Sequence, residues 1–239
     1  MKIILTEQQF IQLVLTGRVE LILAESLTNK KYINNLKNKI KNLLLKGIAI
    51  TSIIAAVNQL HIAREEKFEL LRFINKEKIE KLTQRNIEYE KKVEACRKYM
   101  LKALSNQGYS ENSTRLTPEA IVRTAERYSF DLPLLIAAAH YESCFGATPR
   151  AKRTNSVYSV GAYDSGKDMV SYAHPDDSIE GYINLLRKDY LVNGKTINDI
   201  LKPGCFVNKN GKRYASRKNY EKTLNSIRNK IINQYPELK

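Results

Sequence analysis

With 239 residues, 43% of them hydrophobic and 27% charged, the chain has globular composition and length for one or two domains, which argues against a disordered or fibrous protein. A formal net charge of +15 suits an anionic partner (nucleic acid, an acidic cell wall, an anionic membrane surface), or else it is the lysine-rich face of a soluble protein. Cys96, Cys144 and Cys205 form no CxxC pair, and His61, His140 and His174 are scattered, so neither a disulfide framework nor a metal site is expected, no cofactor is implied, and synthesis in a reducing compartment is expected.

Residues 1–107 read as an all-helical region. They contain no proline, and Gly17 and Gly47 are their glycines. At the N-terminus, Glu7 and two glutamines interrupt any signal-peptide core, so no signal peptide is expected. The run Gly47–Ala63 carries no charged side chain. It is short for a span of about 20 residues, and Asn58, Gln59 and His61 favour a buried helix over a membrane segment. From about Glu65 to Leu104 the chain is unbroken and highly charged. Within it Ile79, Leu82, Asn86, Tyr89, Val93, Cys96, Met100 and Ala103 step by three and four, the a/d seam of a heptad pattern. Such a seam packs either inside its own domain or against another helix or subunit. "SNQGYSENSTRL" is polar, and 108–116 is the expected linker.

A second domain is expected over 117–239. Thr117, Pro118 and Glu119 are an N-cap, an N1 proline and a first-turn acid, and Leu116 with Ile121 fits a hydrophobic staple. Asp131 caps the next helix, whose interior from Leu134 to Ala139 is apolar on all sides, and Gly146 and Pro149 end it. "NSVYSVGAYDSGKDMVSYAH" predicts a β-hairpin around Asp164–Lys167, with Val157, Tyr158, Val160 and Tyr163 answering Met169, Val170 and Tyr172. A helix follows with Ile179, Tyr182, Ile183, Leu186 and Tyr190 on one face, ended by Gly194. The last helix, from about Lys218, places Tyr220, Leu224, Ile227 and Ile231 on one side. The expected fold class is mainly α: a helical N-terminal assembly region, then an α+β domain with a short β-hairpin lobe beside a cleft.

Glu142 stands out because it falls at the end of that apolar helix. Desolvation by Leu135, Ala138, Ala139 and Phe145, and the negative end of the helix dipole, both disfavour its anion. A carboxyl kept protonated near neutral pH suits general-acid work such as protonating a glycosidic oxygen. A lone glutamate at a helix end is also commonly just solvated or paired with N–H groups.

Four blocks carry a family resemblance. "LLIAAAHYESCFG" resembles the "A-x-x-E-S-G-x-G" segment of lysozyme-like peptidoglycan hydrolases, nearest to the endo-β-N-acetylglucosaminidases of glycoside hydrolase family 73. "RTNSVYSVGAY" resembles that group's entry into the β lobe, "YAHPDDSIEGYINLL" its "Y-x-S-x-x-E-S-I-x-D-Y" helix, and "RYASRKNYEKTLNSI" its "Y-A-T-D-P-N-Y-A-x-K-L" block. The resemblance spans about Thr117 to Asn233 and implies a lysozyme-like fold. It gives Glu142 the role of catalytic acid, Tyr214 that of the cleft tyrosine, and Asn155, with neighbouring Tyr158, a place at the sugar site. Tyr214 and Tyr220 also fit as core aromatics, Tyr220 more readily. Cys144 stands where the family has glycine, as a small packer. The family's second carboxylate segment is missing here. Asp164, Asp168, Asp176, Asp177 and Glu180 are the substitutes on offer. Asp164 is the preferred second catalytic residue, though it also suits a turn, and Asp176 and Asp177 suit caps. Without a second carboxylate, a lytic transglycosylase route opens, in which the sugar's own 6-hydroxyl attacks.

The resemblance and the helical first half together imply a bacteriophage virion protein of the tail or portal-proximal ring. It would be made in the host cytoplasm and cleave peptidoglycan glycan strands. Its N-terminal helices would join copies of itself or other virion proteins, and its basic charge would suit a place near DNA. A free holin-dependent endolysin, and a structural ring protein with a vestigial lysozyme-like domain, are the competing expectations.

Overall fold

The computed structural model describes residues 30–45, 50–59, 64–162, 165–166 and 168–239. The chain divides into two compact units, Met1–Asn86 and Ile87–Lys239. Among the described residues the structure is helical, and no helix is long and apolar enough to cross a membrane.

In the first unit, α1 (Lys30–Leu45) buries Leu36, Ile40, Leu43 and Leu44, an i, i+4, i+7, i+8 stripe. The described part of the uncharged run forms α2 (Ile50–Gln59), with Ile53, Ala56 and Val57 buried. Helix α3 (Arg64–Asn106) buries Leu70 and Ile74 near its start. Lys37 pairs with Glu69 across 3.7 Å, and Lys81 donates to the carbonyl of Leu44.

The expected a/d seam has two fates. Ile79 and Leu82 are exposed, as is Asn86. Val93, Cys96, Met100 and Ala103 are buried in the core of the second unit. That unit therefore begins at Ile87, upstream of the boundary expected at 108–116. The expected linker is itself packed down. It contains a 3₁₀ turn (Glu111–Ser113), Leu116 is buried, Tyr109 packs on the core, and the Thr114 hydroxyl donates to the Phe145 carbonyl. The polar composition of the stretch marked a surface run, which does not make it a hinge.

The second unit is built around α5 (Leu132–Ser143), packed by α4 (Pro118–Arg127) and α9 (Tyr220–Gln234). Residues Leu134 to Ala139 have no exposed surface, and that is why the segment shows no amphipathic stripe. Both starts follow their capping signals. Thr117 accepts from the Ala120 N–H at 3.2 Å, and Asp131 from the Leu134 N–H at 2.8 Å. Asp131 also receives two bonds from Arg228, which ties the start of α5 to α9. Between these lie α6 (Pro149–Thr154), α7 (Asp177–Leu185) running into a π-helical turn (Leu186–Tyr190), and the single turn α8 (Ile197–Ile200).

The expected β-hairpin lobe is not formed among the described residues. What remains of it is one antiparallel bridge, Ala162 to Asp168, with the Met169 N–H donating to Gly161 at 2.9 Å. A ladder needs consecutive extended residues, and Asn155, Ser159 and Gly161 all have positive φ. Val157 and Tyr158, expected to alternate across a strand, are both fully buried. A second isolated bridge joins Val207 and Arg213.

Candidate active site

Glu142 lies in the last turn of α5, where the helix ends abruptly. The N–H of Cys144 bonds to His140 and that of Phe145 to Ala139, and both residues adopt left-handed φ (48° and 59°) before Gly146 at 86°. Ser143 locks the turn: its hydroxyl donates to Val157 at 2.7 Å and accepts from the Gly146 N–H at 2.8 Å. Substituted residues in this region of φ are costly and persist where surrounding contacts fix them. The turn brings the chain back across the end of α5 and leaves Glu142 facing a cleft.

The cleft has a volume of about 540 Å³, within the range of ligand sites. Its walls come from the end of α5 (Tyr141, Glu142), from α6 and the loop after it (Arg150, Ser159), and from the 213–220 segment (Arg213, Tyr214, Arg217, Tyr220). Among the described residues that line it, Glu142 is the one carboxyl group.

Burial is the largest influence on Glu142 and pushes its carboxyl above the ordinary carboxylate range. Three groups favour the anion and limit that rise: the Tyr220 hydroxyl, the Ser159 hydroxyl and the Arg217 charge. The Tyr220 hydroxyl donates to Glu142 Oε1 at 2.5 Å. Tyr220 is itself buried at the first position of α9 and sits among Tyr141, Phe206 and Tyr214, with ring centroids 5.4 to 5.8 Å away. A carboxyl held in a partly desolvated pocket, with the Tyr220 hydroxyl fixed on one of its oxygens, has the equipment of a general acid.

Tyr214 lines the cleft, but its hydroxyl is committed to the Tyr158 carbonyl at 2.6 Å, and its ring stacks on Phe206. It offers a ligand a ring face. Tyr158 is elsewhere: its ring is fully buried, stacked on Tyr182 at 4.6 Å, and what it gives the site is the carbonyl that holds Tyr214. Asn155 is likewise a fastener. It caps α6 in a left-handed conformation, donates to the carbonyls of Tyr172 and Ala173, and accepts from Arg115.

Of the substitutes for a second carboxylate, Asp164 lies outside the described residues. The other four are occupied locally. Asp168 binds Arg150 and Arg153 at 2.6 Å each, and those hydrogen bonds hold its carboxyl below the usual range. Asp176 accepts from the backbone and hydroxyl of Thr117, Asp177 from the N–H of His174, and Glu180 pairs with Arg127.

Ser159 and Arg217 are cleft residues that the sequence did not point to, and Tyr220 is one that it favoured as a core aromatic. Tyr220 falls 78 positions from Glu142, and its helical spacing with Leu224 and Ile227 reads equally well as core. The signal that could have found it is its place at the start of a helix, where one ring edge can reach past the core. Compared with protein-family models, with curated proteins and with solved structures, the chain finds no match.

Proposed function

We propose that the chain is a peptidoglycan glycosidase in which Glu142 protonates the oxygen of a β-1,4 glycan linkage. The observation that carries this reading is the one carboxyl among the described cleft residues, raised by burial and tethered by the Tyr220 hydroxyl. In the proposed step the Glu142 proton passes to the glycosidic oxygen as the C1–O bond breaks, the carboxylate left behind is received by the Tyr220 and Ser159 hydroxyls, and a water from solvent adds to C1 and gives up the proton that restores Glu142. The Tyr214 ring and the Tyr141–Arg217 wall flank the sugar. The resemblance of four sequence blocks to the endo-β-N-acetylglucosaminidases supports the same assignment, and a lysozyme-like fold is part of it.

The setting we propose is a bacteriophage particle, with the chain in the tail or portal-proximal ring. Residues up to Asn86 would attach it to its own copies or to other virion proteins. The support is the long helix α3, whose Ile79 and Leu82 remain exposed, together with the basic charge that suits anionic surroundings.

A second reading has its own observation. With no other carboxyl among the described cleft residues, Glu142 can serve in turn as acid and base while the sugar's own 6-hydroxyl attacks, giving an anhydro product. One experiment decides: purified chain and Glu142→Gln are incubated with peptidoglycan and the new ends identified. Reducing N-acetylglucosamine marks a glucosaminidase, reducing N-acetylmuramic acid a muramidase, anhydro ends the intramolecular route. No release by the wild type across pH and ionic strength, or equal release by the variant, refutes the proposal.

A further inference from the structure

The 213–220 wall of the cleft holds a cation with no acidic partner among the described residues. Three arginines line the cleft, and two are engaged by carboxylates. Arg150 donates to Asp168 at 2.6 Å, and Arg213 donates to both oxygens of Glu221 at 3.0 Å. The Arg217 side chain makes no hydrogen bond and no ion pair with any described residue, and its backbone carbonyl accepts from the Tyr220 N–H at 3.3 Å. Its guanidinium lies 5.7 Å from the centroid of the Tyr141 ring, in the range of a cation–π contact, and its charge is felt at Glu142.

The segment carrying Arg217 is fixed at both ends. On one side are the Arg213–Glu221 pair, the Val207–Arg213 bridge and the Tyr214 bond to Tyr158. On the other, Tyr220 is buried and bonded to Glu142. Three residues between these anchors, Ala215 to Arg217, line the cleft. The guanidinium is thus presented from a short, anchored segment over an aromatic face, with its donor fork unused. A fork of this kind matches a carboxylate in two parallel bonds, a geometry a lysine ammonium does not reproduce.

We infer that Arg217 is the anion-recognition residue of the cleft and takes a carboxylate borne by the substrate beside the scissile bond. The inference rests on the glycosidase reading and narrows its substrate class to acidic glycan strands: those with a free carboxylate on the substituent or stem peptide of the sugar that sits against Tyr141 and Arg217. Neutral chito-oligosaccharides of equal length then bind poorly. Coupling follows from the same geometry. A bound carboxylate neutralises the cation that favours the charged form of Glu142, so the acidic substrate itself helps keep the acid protonated.

The test uses the full chain and two probes, a peptidoglycan tetrasaccharide with free stem carboxylates and the same compound with those carboxylates amidated. Binding is measured by calorimetry in the Glu142→Gln background, and steady-state kinetics in the wild-type background, each with and without Arg217→Gln. Arg217 is exposed, so the substitution leaves the fold intact, and an unchanged melting temperature checks that. The expected result is at least about tenfold weaker binding of the amidated probe by the chain with Arg217. Arg217→Gln then loses that difference through KM with kcat little changed, and Arg217→Lys restores part of it. Equal binding of the two probes, or a preference that survives Arg217→Gln, overturns the inference while leaving the glycosidase reading intact. An Arg217-dependent preference without any bond cleavage supports the inference and refutes the glycosidase reading instead.

Discussion

Two carboxyls at one end of the second unit have opposite fates. Glu221, in the first turn of α9, is 2% exposed, and Glu142 opens on the cleft. Burial is the largest influence on both and pushes both upward. At Glu221 the push is outweighed by its own backbone N–H, the Arg213 guanidinium and the Phe206 backbone, and the carboxyl ends below its ordinary value. At Glu142 the partners are two hydroxyls and a more distant charge, and they do not overcome it. Burial alone therefore does not make an acid. A buried carboxyl becomes a structural anion when a guanidinium and N–H groups bond to it directly, and is suited to proton donation when its bonded partners are hydroxyls and the nearest cation is more distant.

The sharpest way to break this contrast is Glu142→Gln, which removes the proton and keeps the shape. Glycan cleavage should fall by about 10² to 10⁴-fold, the usual worth of a positioned general acid. A smaller loss would mean that the acid lies elsewhere. Next in size is Glu221→Gln. It leaves Arg213 without its partner and the start of α9 less firmly held. Chemical denaturation should show a stability loss on the order of 2 kcal/mol, below the full value for a buried pair because Arg213 keeps access to water.

Tyr220→Phe tests the tether. Loss of a bond that favours the Glu142 anion should move the basic limb of the pH–rate profile to higher pH, and kcat should drop about tenfold through poorer positioning. An unmoved limb would show that the hydroxyl does not act on Glu142. The smallest effect is in stability against pH, where the two glutamates should oppose each other. Glu142 is raised when folded, so its contribution is most favourable below the ordinary carboxylate range and is lost as pH climbs through the raised value. Glu221 is depressed, so its contribution is present above that range and is lost as pH falls through the depressed value. Thermal melts should find Glu142→Gln more stable than wild type by roughly 1 kcal/mol at neutral pH, with the gain shrinking in acid.

Parts of this arrangement are legible residue by residue. Thr117 and Asp131 announced helix starts because capping is a local matter between a side chain and an N–H three residues on. Glu142 was legible because an apolar run ending in a carboxyl predicts its own desolvation. The expected β-hairpin is not formed among the described residues: Asp-Ser-Gly-Lys is a turn signal, but flanking alternation yields to a core that takes both Val157 and Tyr158. The seam of α3 carried one grammar along its length. Val93 to Ala103 found cover in their own unit, and Ile79 and Leu82 remain exposed, because periodicity records that a face is apolar and not what covers it. Asn155 and Tyr158 show the same limit, since both stand in a block expected to serve a sugar site and act as a cap and a core ring.

By itself, the sequence determined the helical class, the helix caps of the second unit, and the position of an acid at the end of its central helix. Each of these depends on interactions within a few residues. Only the tertiary structure decided what that carboxyl faces: the Tyr220 hydroxyl, brought from far along the chain, the Ser159 hydroxyl on a left-handed turn, and Arg217, without an acidic partner among the described residues beside two arginines that are paired. Proton affinity and ligand charge are set by such neighbours through space, and their spacing along the chain carries no record of it.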